Sequence, residues 1–488
     1  MTEEKNVNDN MAQEQFQQDT YDMRRMFAQM QKQMLKDITS NSSESAAFTK
    51  YTQSQIVSYL ASPGRYQNNL VEASNYFYNN SNHYKRLIQY YAYLPTYAYI
   101  LQPLKYDANK AKSEAYKKQF YKVANEVAKM NLRQSLEKAS VIALREGVFY
   151  GVIRSNNDTW FLQQINPKFC QLTSIVNGTW MYAVDFSKIK EADLFKYPEE
   201  FTSLYHDYQD TGNRWQEVPD SISFCIKADE TTVDYSLPPF VSTIPLLYSI
   251  ENYKELYEAA AEIANYKLIN LVVPTDNEGK PTMTWNQAME WYAQVKPELP
   301  PYIGLSITPM QMDTVDFDKS ATDKEVDLIA QAENTFWSDS GTSPLLFGSG
   351  NKNSAGALKL SIRADESVAF AILKQEETLI NRYLLNLSGA TKFKIQILPV
   401  TRFNKEEFIK EYRDLAKDGY PVKSIVAAAA GLQPIDYIGM EFMETEVLSL
   451  DIDEDGASTD KGGRPLMKDE DLTESGTQTR EDDQNANR

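Results

Sequence analysis

Apolar residues return at three- and four-residue steps along several stretches of this chain, most clearly at Leu358, Ile362, Val368, Ile372, Leu379, Tyr383 and Leu387. That stripe predicts one long helix over 358–387, roughly 45 Å from end to end at about 1.5 Å per residue, with Gly389 as its C-terminal cap. A similar stripe at Tyr253, Leu256, Tyr257, Ala260, Ile263, Ala264 and Lys267 predicts a helix over 251–268, stopped by Val273-Pro274. A third begins with Thr322 and Glu325 at capping-box spacing and runs to Trp337. Residues 113–145 keep helical spacing and end at Gly147, so one long helix is expected there. Shorter helices are expected after Asn404, closing at Gly419, and from Pro421 to Gly431.

Elsewhere the period falls to two. The stretch "VFYGVIRSNNDTWFLQQINPKFCQLTSIVNGTWMYAVDF" alternates short aromatic and β-branched runs with Asn156-Asn157-Asp158, Asn166-Pro167 and Asn177-Gly178. Asn-Gly between alternating runs is a hairpin signal, and an antiparallel sheet is expected over 148–186. A strand is expected over 392–398, where Phe393, Ile395 and Ile397 alternate. Between the second and third helices lie Gly279, Pro281, Pro297, Pro300, Pro301, Gly304 and Pro309, which predict a compact, turn-rich insertion over 275–317. Just before the longest helix, "GTSPLLFGSGNKNSAG" carries Gly341, Pro344, Gly348, Gly350 and Gly356, with Ser343, Asn351, Asn353 and Ser354 between them. It predicts a flexible loop hung on a rigid rod. The fold class these elements imply is α+β, predominantly α.

Composition narrows the options. The chain has 488 residues, enough for about three ordinary domains. Cys170 and Cys225 are the only cysteines, without metal-like spacing, and are expected to be reduced and buried. No apolar run approaches the roughly 20 residues that cross a bilayer, and "MTEEKNVNDN" is acidic and polar where an export signal would be basic, then apolar. Residues Met23, Met26, Phe27, Met30, Met34 and Ile38 predict an amphipathic N-terminal helix with an adaptable face, turned to a neighbour or to its own chain. From 451 to 488 there are 12 acidic and 5 basic residues, a net of −7, and a disordered tail is expected. Its "DIDEDG" imitates the start of a calcium loop, but Gly462 stands where the bidentate Glu should be, so no metal is expected.

Catalytic constellations are scarce. His83 and His206 are the only histidines, neither in a recognisable motif, and both read as surface or hydrogen-bonded residues. "FGSGNKNS" lacks the spacing of a phosphate-binding loop, which argues against an ATPase. Glu376-Glu377 and Glu406-Glu407 are adjacent in predicted helices, where neighbours diverge, and read as solvated faces. The 31 Tyr and 6 Trp leave a carbohydrate-active enzyme as an alternative, although no carboxylate pair is placed for it. The aromatics of "YYAYLPTYAYI" at 90–100 fit packing or a subunit interface better. Neither catalytic residues nor cofactors are expected.

The order of these features resembles the portal (head-tail connector) proteins of tailed bacteriophages, ring-shaped channels through which DNA enters and leaves the capsid. By that resemblance 1–45 would be an N-terminal arm, 46–248 the wing, 249–270 a descending stem helix and 271–319 the clip. A returning stem helix over 320–340, a tunnel loop over 341–357, a body helix and wing strand over 358–400, crown helices over 401–450 and the acidic tail over 451–488 would follow. The resemblance implies a closed homododecameric ring at one capsid vertex of the virion, made in the host bacterial cytoplasm and catalysing nothing itself. Its partners would be other copies of itself, the terminase large subunit at the clip, a head-completion or adaptor protein, capsid and scaffold proteins, and double-stranded DNA passing non-specifically, with no membrane. Thr342, Ser343, Gly348, Gly350, Asn351, Lys352, Asn353 and Gly356 would line the channel, Lys352 as a transient phosphate contact. A net charge of −18 disfavours tight static binding of nucleic acid but suits a wall past which a polyanion slides. Another virion structural protein is the remaining alternative.

Overall fold

A computed structural model describes residues 48–104, 113–233, 235–265, 267–272, 282–283, 285–295, 303–308, 320–347, 355–387 and 392–448. The chain divides into two units, Met1–Ile435 and Asp436–Arg488. The N-terminal arm, the acidic tail with its "DIDEDG", and Gly389 lie outside the described residues.

Three helices open the described part of the first unit. Helix α1 (Gln53–Leu60) starts at a capping box in which Thr52 and Gln55 satisfy each other's backbone N–H. Helices α2 (Gln67–Asn80) and α3 (Asn82–Ala92) meet at Ser81, which caps α3. Strand β1 (Tyr99–Pro103) follows. The single helix expected over 113–145 is two, α4 (Glu114–Lys129) and α5 (Leu132–Glu146), because Asn131 turns into the left-handed region at φ 44°. Asn tolerates that conformation, and the break lets Met130 and Leu132 both enter the core. Gly147 ends α5 at φ 86°, where a Cβ would come within 2.7 Å of the Leu237 carbonyl carbon. Both the angle and the space require glycine.

The expected sheet is present but divided. Strands β2 (Val148–Ser155) and β3 (Trp160–Gln164) pair antiparallel, as do β4 (Cys170–Val176) and β5 (Thr179–Asp185). Asn177 and Gly178 join the second pair with φ of 52° and 77°, the two positive angles a tight hairpin needs. After helix α6 (Glu199–Thr211), β6 (Trp215–Glu217) adds to β5 and β7 (Ser223–Lys227) adds to β2. Two three-stranded sheets result, ordered β3-β2-β7 and β4-β5-β6. They are tied where the Tyr182 hydroxyl donates to the Gly151 carbonyl at 2.8 Å.

Helix α7 (Ile244–Asn265) begins earlier and ends earlier than its stripe predicts, and strand β8 (Lys267–Val272) replaces its last turn. The run "KLINLV" is apolar enough for a buried strand as well as for a helix, and pairing decides. The turn-rich insertion holds a helix, α8 (Trp285–Val295), and strand β9 (Ile303–Thr308), which pairs with β8 in parallel. Helix α9 (Ser320–Asp339) then packs on α7. It starts ahead of Thr322, which lies in its first turn instead of capping it.

The longest helix among the described residues, α10 (Ala355–Asn386), spans about 48 Å at 1.5 Å per residue. It packs on α3, β5, β7 and on β10 (Phe393–Ile397), which pairs with β1 from Tyr99↔Ile397 to Pro103↔Phe393. The large core is centred on these elements, with Phe77, Tyr84, Leu136, Phe224, Phe336, Ile380 and Ile395 at its interior. Helices α11 (Lys405–Lys417) and α12 (Lys423–Ala430) follow, the latter stopped by Gly431. Asn404 sits at the N-cap of α11, but its side-chain oxygen accepts from the Thr401 N–H at 2.8 Å and caps nothing in the helix. Helix α13 (Pro434–Phe442) reaches into the second unit, where the turn Met443–Val447 continues it. Both cysteines are free, Cys225 buried in β7 and Cys170 half-buried at the start of β4, and burial pushes both thiols up.

Candidate functional site

The segment between α9 and α10 carries the candidate channel residues, and its local structure is set by the end of α9. Gly341 leaves that helix at φ 78°, with nothing within 4 Å of where a Cβ would stand, so only the angle demands glycine. The turn buries Thr342, which is 2% exposed. Its hydroxyl lies 3.0 Å from Ser340 Oγ and also bonds Tyr91, so it faces the protein interior. Ser343 is half-buried and precedes a short helical turn, Pro344–Leu346.

Phe347 fastens the segment. Its ring stacks on Trp337 with centroids 3.8 Å apart and planes 16° apart, and the Arg86 guanidinium covers it at 4.6 Å. His83 meets Trp337 at 5.9 Å and holds Glu333 of α9 at 3.2 Å. Burial lowers the His83 pKa, and the Glu333 carboxylate opposes that shift. The first half of the expected flexible loop is therefore an aromatic fastening of α9 to α3. At the other end Gly356 is exposed in the first turn of α10, since the helix begins at Ala355. Gly348, Gly350, Asn351, Lys352 and Asn353 lie outside the described residues. Of the eight candidates, the structure thus places Thr342, Ser343 and Gly356, and it puts the first in the interior.

Beyond this segment α10 is locked by polar side chains on its buried faces. Tyr90 and Tyr91 of α3 donate to Asp365 at 2.9 and 3.4 Å, and Thr401 donates to Glu366 at 2.6 Å. Burial raises the Asp365 carboxyl while the two tyrosines hold it back, and burial pushes Tyr91 up to about 12. Gln375 makes a two-bond pair with the backbone of Lys227, accepting from its N–H at 3.1 Å and donating to its carbonyl at 2.9 Å. Asn381 does the same to Ile395 of β10 at 2.8 and 3.0 Å. Arg382 donates to Thr179 Oγ1 of β5 at 2.7 Å and to the Ser223 carbonyl of β7 at 2.5 Å, joining both sheets.

Glu376 and Glu377 correct the sequence reading. They do diverge, but neither is a solvated face: Glu376 is fully buried and accepts from Ser140 Oγ of α5 at 2.8 Å, and Glu377 accepts from the Ile397 N–H at 2.6 Å. Burial holds the Glu376 carboxyl well above its ordinary range. Glu407, by contrast, is exposed and paired with Lys359 and Arg363 at 2.6 and 3.1 Å. The signal for the buried acids was present in the spacing. Asp365 and Glu376 fall on the same helical stripe as Ala369, Ile372, Leu379 and Tyr383, all of them core residues.

Among the described residues no group of three or more His, Cys, Asp or Glu could hold a metal ion, and no helix is long and apolar enough to cross a membrane. No family model and no curated protein matches the chain. Among solved structures, a chain of the virion of a native gene transfer agent particle is similar, at 12% identity and a TM-score of 0.37, covering 71% of this chain and 88% of that one. A likeness at that level fixes neither fold nor role.

Proposed function

We propose that the chain is a structural subunit of a phage-like virion and, within it, a portal subunit that assembles into a closed ring and conducts DNA without catalysing a reaction. The observation that carries this reading is the order of elements from α7 to α10. A long helix leads into a small unit of β8, α8 and β9, a second long helix returns to pack on the first, and a glycine-rich stretch then feeds the longest helix among the described residues. That is the order of stem, clip, stem, tunnel loop and body helix in the family the sequence resembles. Heterologous contacts that close on themselves would set one copy of the glycine-rich stretch per subunit around the axis. Terminase would dock at the clip, and an adaptor, capsid and scaffold proteins would bind the assembled ring.

Negative-stain electron microscopy with light scattering on the purified chain tests the ring. Particles with a central hole, at about twelve times the chain mass of 55.8 kDa, are expected. A monomer that forms no rings on concentration would overturn the reading. Should rings form, replacing Gly348 and Gly350 with Pro should impair DNA packaging and leave the rings intact.

A further inference from the structure

A polar hollow of about 420 Å³ opens between the α1–α2 connection, the start of β4, β6 and the loop after β7. Its walls carry Arg65, Asn68, Lys168, Gln171, Trp215 and Tyr235. Among the described residues its lining includes two cations and neither Asp nor Glu, in a chain whose net charge is −18. Lys168 is neutralised by Glu72 at 2.8 Å, an exposed and therefore screened pair. Arg65 lies over the Tyr66 ring at 5.4 Å, is exposed, and makes no salt bridge among the described residues. Arg214, which is not part of the lining, sits 5.6 Å over the Trp215 ring.

This set of groups has one common use. A guanidinium offers a planar fork of donors that fits a carboxylate or phosphate, the amides of Asn68 and Gln171 can both donate to and accept from hydroxyls, and two aromatic rings offer flat faces. The volume falls in the range of small-molecule sites. We infer that the hollow binds a small anion attached to a hydroxylated ring, the chemistry shared by nucleoside monophosphates and uronic acids. Two cations in so acidic a chain are too few for a length of nucleic acid, whose affinity rests on many phosphate contacts. The inference stands whether or not the chain forms a ring.

Isothermal titration calorimetry on the full chain, with thymidine monophosphate, glucuronate and inorganic phosphate as separate probes, decides it. One ring-bearing probe should saturate a single site, and should bind more tightly than phosphate. Arg65→Ala should weaken it at least tenfold, about 1.4 kcal/mol by the affinity scale. Trp215→Ala should weaken it at least threefold, and Arg65→Lys should fall between Arg65→Ala and the parent. Which ring-bearing probe binds tells the two sources apart. Binding of neither up to about 10 mM, where an affinity would be under roughly 3 kcal/mol, overturns the assignment. So would binding that survives Arg65→Ala, or phosphate binding as tightly as both ring-bearing probes. Circular dichroism of the variants, which change half-exposed and exposed side chains, separates loss of the site from loss of the fold.

Discussion

Helices α10 and α7 are both long, and they are held in different ways. Along α10, buried and half-buried polar side chains from Asp365 to Arg382 reach α3, α5, both three-stranded sheets and β10, so the helix is tied to several different elements. Among the described side chains of α7 the hydrogen bonds to the rest of the chain fall near its start, where Tyr248 donates to the Tyr51 carbonyl at 2.6 Å and Gln53 donates to that of Pro245 at 3.0 Å. Beyond that α7 packs chiefly on α9. Hydrophobic packing is tolerant of sliding, whereas a buried hydrogen bond specifies one position, because a missed partner leaves a polar group stranded. Over the described side chains, one helix is therefore fixed in register by many partners, and the other chiefly by its companion.

Substitutions can break this contrast. Arg382→Ala should have the largest effect, about 3 kcal/mol, since it strips the bonds to Thr179 and Ser223 that join α10 to the two sheets. An unchanged midpoint in urea denaturation would remove the claim that side-chain bonds fasten α10. Phe347→Ala should cost less, about 1–2 kcal/mol, through loss of the Trp337 stack and the Arg86 contact. Hydrogen exchange should then quicken around 337–347 and stay slow near Arg382, and uniform quickening would blur the two regions into one.

The third test uses pH. The fold holds the Glu376 carboxyl above its ordinary 4.5, so the native state keeps a proton that the unfolded chain releases. The stabilisation is complete below that value and is lost as pH rises through the folded one. Glu376→Gln has no such proton to lose, so its stability relative to the parent should improve as the pH is raised above 4.5. A constant difference across that window would place the carboxyl in water. The smallest effect belongs to Glu407→Gln, whose partners Lys359 and Arg363 are as exposed as it is. No measurable change in the midpoint is expected at physiological salt, and a large loss would show that α11 depends on those pairs.

Local rules made much of the fold legible. The Asn177-Gly178 hairpin needed only backbone angles that those two residues accept, and the length of α10 followed from its stripe. What escaped the sequence was settled by distant partners. The break at Asn131 is invisible to periodicity because apolar spacing continues through it. The switch from α7 to β8 depends on β9, which begins 36 positions further on. The burial of Glu376 depends on Ser140, 236 positions away. For the candidate site, glycine content suggested a loop, yet Thr342 and Phe347 are fastened by Tyr91 and Arg86, which no local pattern links to them.

The parallel pairing of β8 with β9 also has a mechanical meaning. Parallel strands carry the chain in at one end of the ladder and out at the other, here from Lys267 to Thr308. Tension drawn between α7 and α9 through this unit would act along the strands, so the bonds of the ladder would share the load in shear. A hairpin in the same place would have opened like a zipper, one bond at a time.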